Sequence, residues 1–152
     1  MNKELIAEIK NKISPQKYNE ILRTVDLTNL YLNETSAKLN QRDWTGAATL
    51  NLSEKSELLD SADNKFTIEM NYLLKAQADN KDVVEISAQY IIEFTTDGAP
   101  DKDFIELFKI YSLPLHSYPF FREIVNSFVI RMDLPSLILP LRKFLVSEKV
   151  TT

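Results

Sequence analysis

The stretch that decides the fold runs from Lys65 to Phe94 and reads KFTIEMNYLLKAQADNKDVVEISAQYIIEF. Apolar side chains occupy every second position of its two halves, Phe66–Ala76 and Val84–Phe94. A period of two is typical of a strand that is covered on one face. The segment Asp79–Asp82 between the halves has the composition of a tight turn. The sequence therefore predicts a long antiparallel hairpin with one buried face.

Two weaker strand signals precede this hairpin. The first covers about Leu22–Leu32, and its apolar positions change phase after Leu27, which indicates a bulge or a strand that changes its covered face. Asn33–Trp44 is polar and is predicted to be a long connection. The second strand covers about Ala47–Leu52, and a polar link over Glu54–Asn64 leads into the hairpin. The apolar face of this second strand consists of Ala48, Leu50 and Leu52.

The remaining segments have helical spacing. A short peripheral helix is predicted over Asn2–Ile13, ended by Ser14 and Pro15. After the sheet, one helix follows a cap at Asp101 or Asp103, and a second begins near Ser117, with Pro119 in its first turn. A short basic helix is predicted from Leu141 to Lys149. Strands followed by helices indicate an α+β fold, in which helices cover one face of a four-stranded antiparallel sheet. We treat residues 1–152 as one domain and residues 1–20 as an N-terminal helical extension.

Composition excludes several functional classes. The 152 residues include no cysteine, one histidine and two glycines, and the net charge is −4. Disulfides, thiolate catalysis, a multi-histidine metal site within one chain and glycine-rich phosphate loops are therefore excluded. The acidic balance is a poor match for nucleic acid or an anionic membrane. We expect neither an enzyme nor a metal or other cofactor.

The sequence shows no signal peptide and no apolar run long enough to span a bilayer, so a cytoplasmic location is expected. The helical half is more apolar than a single sheet face requires. It contains five of the eight phenylalanines, which are Phe104, Phe108, Phe120, Phe121 and Phe128. This excess indicates homo-oligomerisation through helices, with two-fold symmetry as the default.

Four stretches of the sequence resemble the conserved elements of one known family. Gln41–Trp44, followed by Ala48–Leu52, looks like the crossover loop and second strand of that family. Tyr118–Glu123 is similar to its Tyr-Pro-aromatic-x-Arg-Glu helix start. Arg131–Pro135 and Leu137–Pro140 are similar to the helix end and the short apolar stretch after it. These stretches resemble the SecB family of protein-export chaperones, and the resemblance covers about residues 21–144, most of the chain.

The resemblance implies a dimer of dimers that catalyses no reaction and needs no ATP. Apolar grooves of the homotetramer would hold unfolded preproteins and pass them to the translocation motor SecA in protein export. The groove positions that it implies on this chain are Trp44, Ala48, Leu50, Leu52, Leu141, Phe144 and Leu145. It also implies a docking site for SecA on the outward face of the sheet, where Asp26 matches one of the acidic positions.

The sequence departs from the export pattern. The neighbouring acidic position is Leu30 or Asn29, and the acidic position of the fourth strand falls near Ser87, although Glu85 is close. The C-terminus is short and basic where the export protein has a longer acidic tail. Docking of SecA is therefore in doubt, and a solitary SecB-like chaperone that binds an antitoxin is the alternative. A non-chaperone scaffold with the same fold and one defined partner is also open.

Overall fold

The computed structural model describes residues 3–141, which form four helices and one four-stranded sheet. In chain order these are α1 (Lys3–Lys12), α2 (Pro15–Leu22), β1 (Asp26–Leu39), β2 (Thr49–Ala62), β3 (Lys65–Ala78), β4 (Lys81–Thr95), α3 (Lys102–Tyr111) and α4 (Leu113–Arg131). All strand pairs are antiparallel, and the order across the sheet is β1-β4-β3-β2. The predicted α+β fold with a four-stranded antiparallel sheet is confirmed. Within residues 3–141, no helix has the length and hydropathy of a membrane span.

The predicted hairpin is the centre of the sheet. β3 and β4 pair from Lys65 opposite Thr95 to Ala78 opposite Lys81. Asp79 and Asn80 have φ of 52° and 59°. Two central residues with positive φ are typical of a type I′ turn, whose twist matches that of the flanking strands. Short polar residues that tolerate this conformation therefore fix the register of the hairpin.

One face of the hairpin carries the core, and the helices α3 and α4 cover it. The buried side chains of β3 alternate without a break from Phe66 to Ala76. Phe66 stacks on Phe94 at 5.0 Å, and the Tyr72 ring stacks on Phe121 of α4 at 4.8 Å. Full burial of each such aromatic side chain contributes about 1.5–3 kcal/mol. The predicted buried face of the hairpin, formed by the alternating apolar residues of β3 and β4, is confirmed.

The predicted bounds of the first strand are wrong. β1 begins at Asp26 and continues to Leu39, through most of the predicted connection Asn33–Trp44. Most of this edge strand is exposed, so burial imposes little alternation on its sequence. The bulge, in contrast, is confirmed. The register shifts between Leu27 and Asn29, which keeps Leu27 and Leu30 on the same side, opposite Phe94 and Ile92.

The predicted link over Glu54–Asn64 is also wrong, because β2 extends over Thr49–Ala62. All but one of its residues are exposed. No alternation of apolar residues marks the second half of this strand, since almost all of its residues are exposed. What holds it in the sheet is main-chain pairing with β3, which runs from Thr49 opposite Gln77 to Ala62 opposite Lys65.

A second N-terminal helix was missed. Ser14 and Pro15 end α1, as predicted, but they also begin α2. The Ser14 side chain caps α2 by accepting a hydrogen bond from the Lys17 N–H, and Pro15 occupies the first turn of the helix. Tyr18 of α2 anchors the pair to α3. Its hydroxyl lies 2.6 Å from Ser112 Oγ.

α4 begins earlier than predicted. It starts at Leu113 and not near Ser117, so Pro119 lies inside the helix rather than in its first turn. The hydroxyl of Ser117 faces the sheet and lies 2.7 Å from Tyr72 Oη, both groups being buried. The predicted basic helix Leu141–Lys149 lies outside the described residues except for Leu141.

Candidate functional site

The loop between β1 and β2 crosses one end of the sheet, because these strands are its two opposite edges. Its path passes the turn of the central hairpin. The Asn40 N–H donates to the Val83 carbonyl at 2.9 Å, and the Thr45 hydroxyl donates to the Asp79 carboxylate at 2.8 Å. These bonds hold Trp44 beside the core, where its indole is half-buried.

The end of α4 lies opposite this loop. Asp133 follows the helix with φ of 57°, and the Leu134 N–H donates back to the Val129 carbonyl at 3.0 Å. A residue with positive φ and a back-donating N–H just after it are typical of a helix-terminating Schellman turn. The Asp133 carboxylate also forms an ion pair with Arg42 of the crossing loop. Since both side chains are exposed, this pair positions the loop but adds little to stability.

The chain after the turn is held along α4 in an extended form. Arg122 Nε donates to the Leu139 carbonyl at 2.7 Å, and the Ser136 hydroxyl bonds to Asn126 Oδ1 at 2.8 Å. Arg122 therefore has a structural role, because it fixes the extended segment to α4. Leu134, Pro135 and Leu137 of this segment face the sheet and the crossing loop, whereas Ile138 is exposed.

A cleft of about 270 Å³ lies between the crossing loop, the sheet and this extended segment. β3 and β4 form its floor, and β2 and the loop form one wall. Its lining residues are Trp44, Ala48, Leu50, Leu74, Ala76, Val84, Val129, Leu134, Pro135, Ser136 and Leu137. None of them carries a charge, so the cleft suits uncharged, apolar side chains.

The structure brings together three of the predicted groove residues, Trp44, Ala48 and Leu50. Leu52 follows on the same face of β2 but does not line the cleft. Leu50 and Leu52 are 41% and 39% exposed, so neither belongs to the core. Leu141 is 64% exposed and also lies outside the lining.

Three other predicted site residues are not part of the cleft as described. Phe144 and Leu145 lie outside the described residues. Asp26 is exposed at the start of β1, paired with Thr95, and its role in docking stays a prediction. Near it on the outward face, Asn29 pairs with Glu93.

Sequence reasoning missed the opposite wall, which consists of Val129 and the segment from Leu134 to Leu137. The signal was present in the apolar residues that follow Leu134 between two prolines. The position of that segment relative to the crossing loop depends on the turn at Asp133. A positive φ at an aspartate has no clear mark in the sequence.

A second cleft of about 390 Å³ lies farther along β2, between that strand, α1 and α3. It differs in chemistry from the first. Lys109 and Glu106 form an ion pair of 2.9 Å on its α3 side, and Glu54 and Lys55 of β2 are among its lining residues. The N-terminal helix contributes Leu5 to this cleft. Lys55 also forms an ion pair with the exposed Glu57. The hydrogen bond that Lys55 donates lowers the pKa of the Glu57 carboxyl group.

Comparison with known proteins identifies the architecture. No protein-family model and no curated protein sequence matches the chain. Among solved structures, a SecB-like chaperone of Mycobacterium tuberculosis, in complex with a ChAD peptide from the HigA1 antitoxin, superposes with a TM-score of 0.73. The match covers 90% of this chain and 99% of that chain, at 16% sequence identity. The chain has the SecB-like chaperone fold. In this SecB-like fold, the apolar cleft lies where the crossing loop meets the end of α4.

A second structure, a protein of unknown function from Streptococcus agalactiae, matches 77% of this chain and 97% of its own length. Its TM-score is 0.47 and its sequence identity 14%. The SecB-like fold alone does not determine what is bound. The kind of ligand that is bound depends on the chemistry of the cleft and of the sheet edges.

Proposed function

We propose that this protein is an ATP-independent holdase chaperone that binds non-native polypeptides in the uncharged cleft. The observation that carries the proposal is the cleft itself, an apolar surface that remains open to solvent beside the exposed Leu50 and Leu52. Folded proteins bury their apolar side chains, so such a surface selects unfolded chains. Binding the unfolded state shifts the folding equilibrium of a client by mass action.

The same chemistry supports binding without catalysis. A hydrolytic or transfer site needs a nucleophile with a base, or charges placed at the reacting atoms. The one hydroxyl group in the lining belongs to Ser136, and it is bonded to an amide oxygen of Asn126. We therefore propose that the protein acts on its clients through affinity alone.

We further propose that the protein assembles into a dimer of dimers. On the side of the sheet that the helices cover, the edge strand β1 exposes Leu27 and Leu32, and α4 exposes Phe120. Leu32 is opposite Tyr90 in the sheet, and the Phe120 ring lies 6.5 Å from that tyrosine ring, so β1 and α4 present one apolar surface. A surface of this kind on an edge strand is a template for pairing with another copy. Sedimentation of the wild-type chain and of L32K would test this surface.

Two classes of client fit the proposal. An antitoxin is favoured, because the SecB-like chaperone that shares the fold holds an antitoxin peptide. Exported preproteins handed to SecA in the cytoplasm are the alternative. That role would need a negative site for SecA on the outward face, of which Asp26 is the matched residue. Loss of SecA binding in D26N would support the export role, and absence of binding to the wild-type chain would leave the antitoxin role.

The decisive experiment is calorimetric titration with a polypeptide that is held permanently unfolded, with its folded form as the control. We expect binding to the unfolded form alone, with a large negative heat-capacity change from apolar burial. If several unrelated unfolded chains fail to bind, the holdase proposal is wrong. Binding of a single defined partner only would then identify the protein as a dedicated scaffold.

A further inference from the structure

The outer edge of β2 is divided into two halves of different chemistry. Thr49–Ser53 contains no charged residue. The following half carries Glu54, Lys55, Glu57 and Asp60, and its register shifts between Leu58 and Asp60. Charges and bulges are the devices by which proteins prevent an edge strand from pairing with another chain. One half of this edge is therefore protected, and the other half is open.

The open half lies beside the apolar cleft. Within residues 3–141, β2 pairs with β3 and with no other strand, so its second edge has free main-chain positions. Leu50 lines the cleft and Leu52 follows on the same face. A strand added at this edge would lie about 4.8 Å from β2 and would place every second side chain, about 6.6 Å apart, on the side of the cleft.

The outward face of the same half is polar. Asn51 and Ser53 alternate with the two leucines, and Asn51 Nδ2 donates to Gln77 Oε1 at 3.1 Å. An added strand would therefore meet apolar residues at one set of alternate positions and polar residues at the other. This pattern selects a segment that alternates apolar and polar side chains without charge.

From this we propose that client segments are held by strand addition to Thr49–Ser53, with their apolar side chains directed to the cleft. This inference rests on the proposed holdase function and specifies how the chain is held. Main-chain hydrogen bonds to an edge are the same for every sequence, which would explain recognition of many clients by one site. A second copy of the chain is disfavoured as the occupant, because its β2 would bring the charged half of the strand next to this uncharged cleft.

The test uses a short synthetic peptide with a central Val-Thr-Val-Thr-Val segment and two N-methylated forms of it. In one form the valine amides are methylated, and in the other the threonine amides. Strand addition uses the amides of only one set, because alternate N–H groups point in opposite directions. We expect one form to bind roughly tenfold more weakly than the unmodified peptide, since it loses main-chain hydrogen bonds of ordinary strength, and the other to bind nearly as well.

Two variants of the chain complete the experiment. S53K adds a charge to the open edge, whereas S87K adds the same charge in the same row of the outward face, two strands away on β4. We expect S53K to weaken binding of the unmodified peptide several-fold and S87K to leave it nearly unchanged. Sedimentation of both variants checks for assembly through β2, and loss of assembly in S53K alone would assign this edge to a second copy and overturn the inference.

The outcomes separate this inference from the function on which it rests. If unfolded proteins bind but the two methylated peptides bind equally well, strand addition is refuted and the holdase function stands. If unfolded proteins bind but the unmodified peptide does not, the open edge takes no neutral strand and the inference is again wrong. If neither binds, the proposed function fails and the inference falls with it.

Discussion

Removing the two exposed leucines of β2 should weaken client binding by an amount that the structure defines. Leu50 and Leu52 are 41% and 39% exposed. Full burial of a leucine contributes about 1.5–3 kcal/mol, so covering these exposed fractions contributes about 0.6–1.2 kcal/mol for each residue. Because alanine retains one methyl group, we expect the double variant L50A/L52A to lose about 1–2 kcal/mol of binding free energy, a five- to thirtyfold rise in Kd at about 25 °C.

The matched control is L58A/L59A. These leucines lie on the same strand and are 37% and 50% exposed, but they are in the charged half and away from the apolar cleft. The two double variants remove the same atoms from the same edge strand. Similar thermal unfolding of both would show that differences in affinity arise at the binding surface and not from the stability of β2.

The assay uses the single tryptophan of the chain, Trp44, which lines the cleft. With an unfolded client that contains no tryptophan, the change in indole emission reports occupancy of this site directly. A Kd that changes less than twofold in L50A/L52A would refute the assignment of the cleft. An equal loss of affinity in L58A/L59A would show that binding spreads along the whole strand and is not localised beside Trp44.

Three further predictions concern stability. Y72F should reduce the free energy of unfolding in urea by about 1 kcal/mol, because the buried hydroxyl of Tyr72 is hydrogen-bonded to Ser117. Y90F should leave this free energy unchanged or raise it, because the buried Tyr90 hydroxyl has no hydrogen-bond partner in the described part of the chain. Burial lowers the pKa of His116 below its ordinary value of 6.5, so the unfolded chain binds a proton at this side chain more tightly than the folded chain does. Measured by unfolding at constant temperature, the stability that depends on a neutral His116 should be present above pH 6.5 and should be lost as the pH falls below it. H116F should remove this dependence on pH. The Asp101 carboxylate caps α3 by accepting a hydrogen bond from the Phe104 N–H at 3.0 Å. D101A removes this cap and should lower stability by about 1 kcal/mol in thermal unfolding, whereas D101N should retain most of the capping stabilisation.

The sequence was most informative where burial imposed a pattern. β3 and β4 were predicted because the covered face requires an apolar residue at every second position. β1 beyond Leu32 and β2 beyond Leu52 were missed for the corresponding reason. An edge strand with exposed faces has no such requirement, and its main-chain pairing leaves no mark on residue type.

The candidate site was predicted in part for a different reason. Trp44, Ala48 and Leu50 were found through resemblance to a family. Periodicity alone placed Trp44 at the end of a loop and Leu50 in a short strand, without bringing them together. The opposite wall required the position of Leu134–Leu137 relative to that loop. This position depends on a turn after α4 and on the contact between Arg42 and Asp133, which are long-range consequences of the fold.

The order of strands across the sheet has a consequence for how this protein reaches its native state. β2, β3 and β4 follow one another in a meander, so each pairing closes through a short turn. β1 must join β4 from far away in sequence, with Asp26 opposite Thr95, and this closure carries a larger entropic cost. We therefore expect a three-stranded intermediate topology to form first and β1 to dock last. A protein proposed to hold unfolded chains would then itself pass through a stage in which its central strand β4 has an unpaired edge.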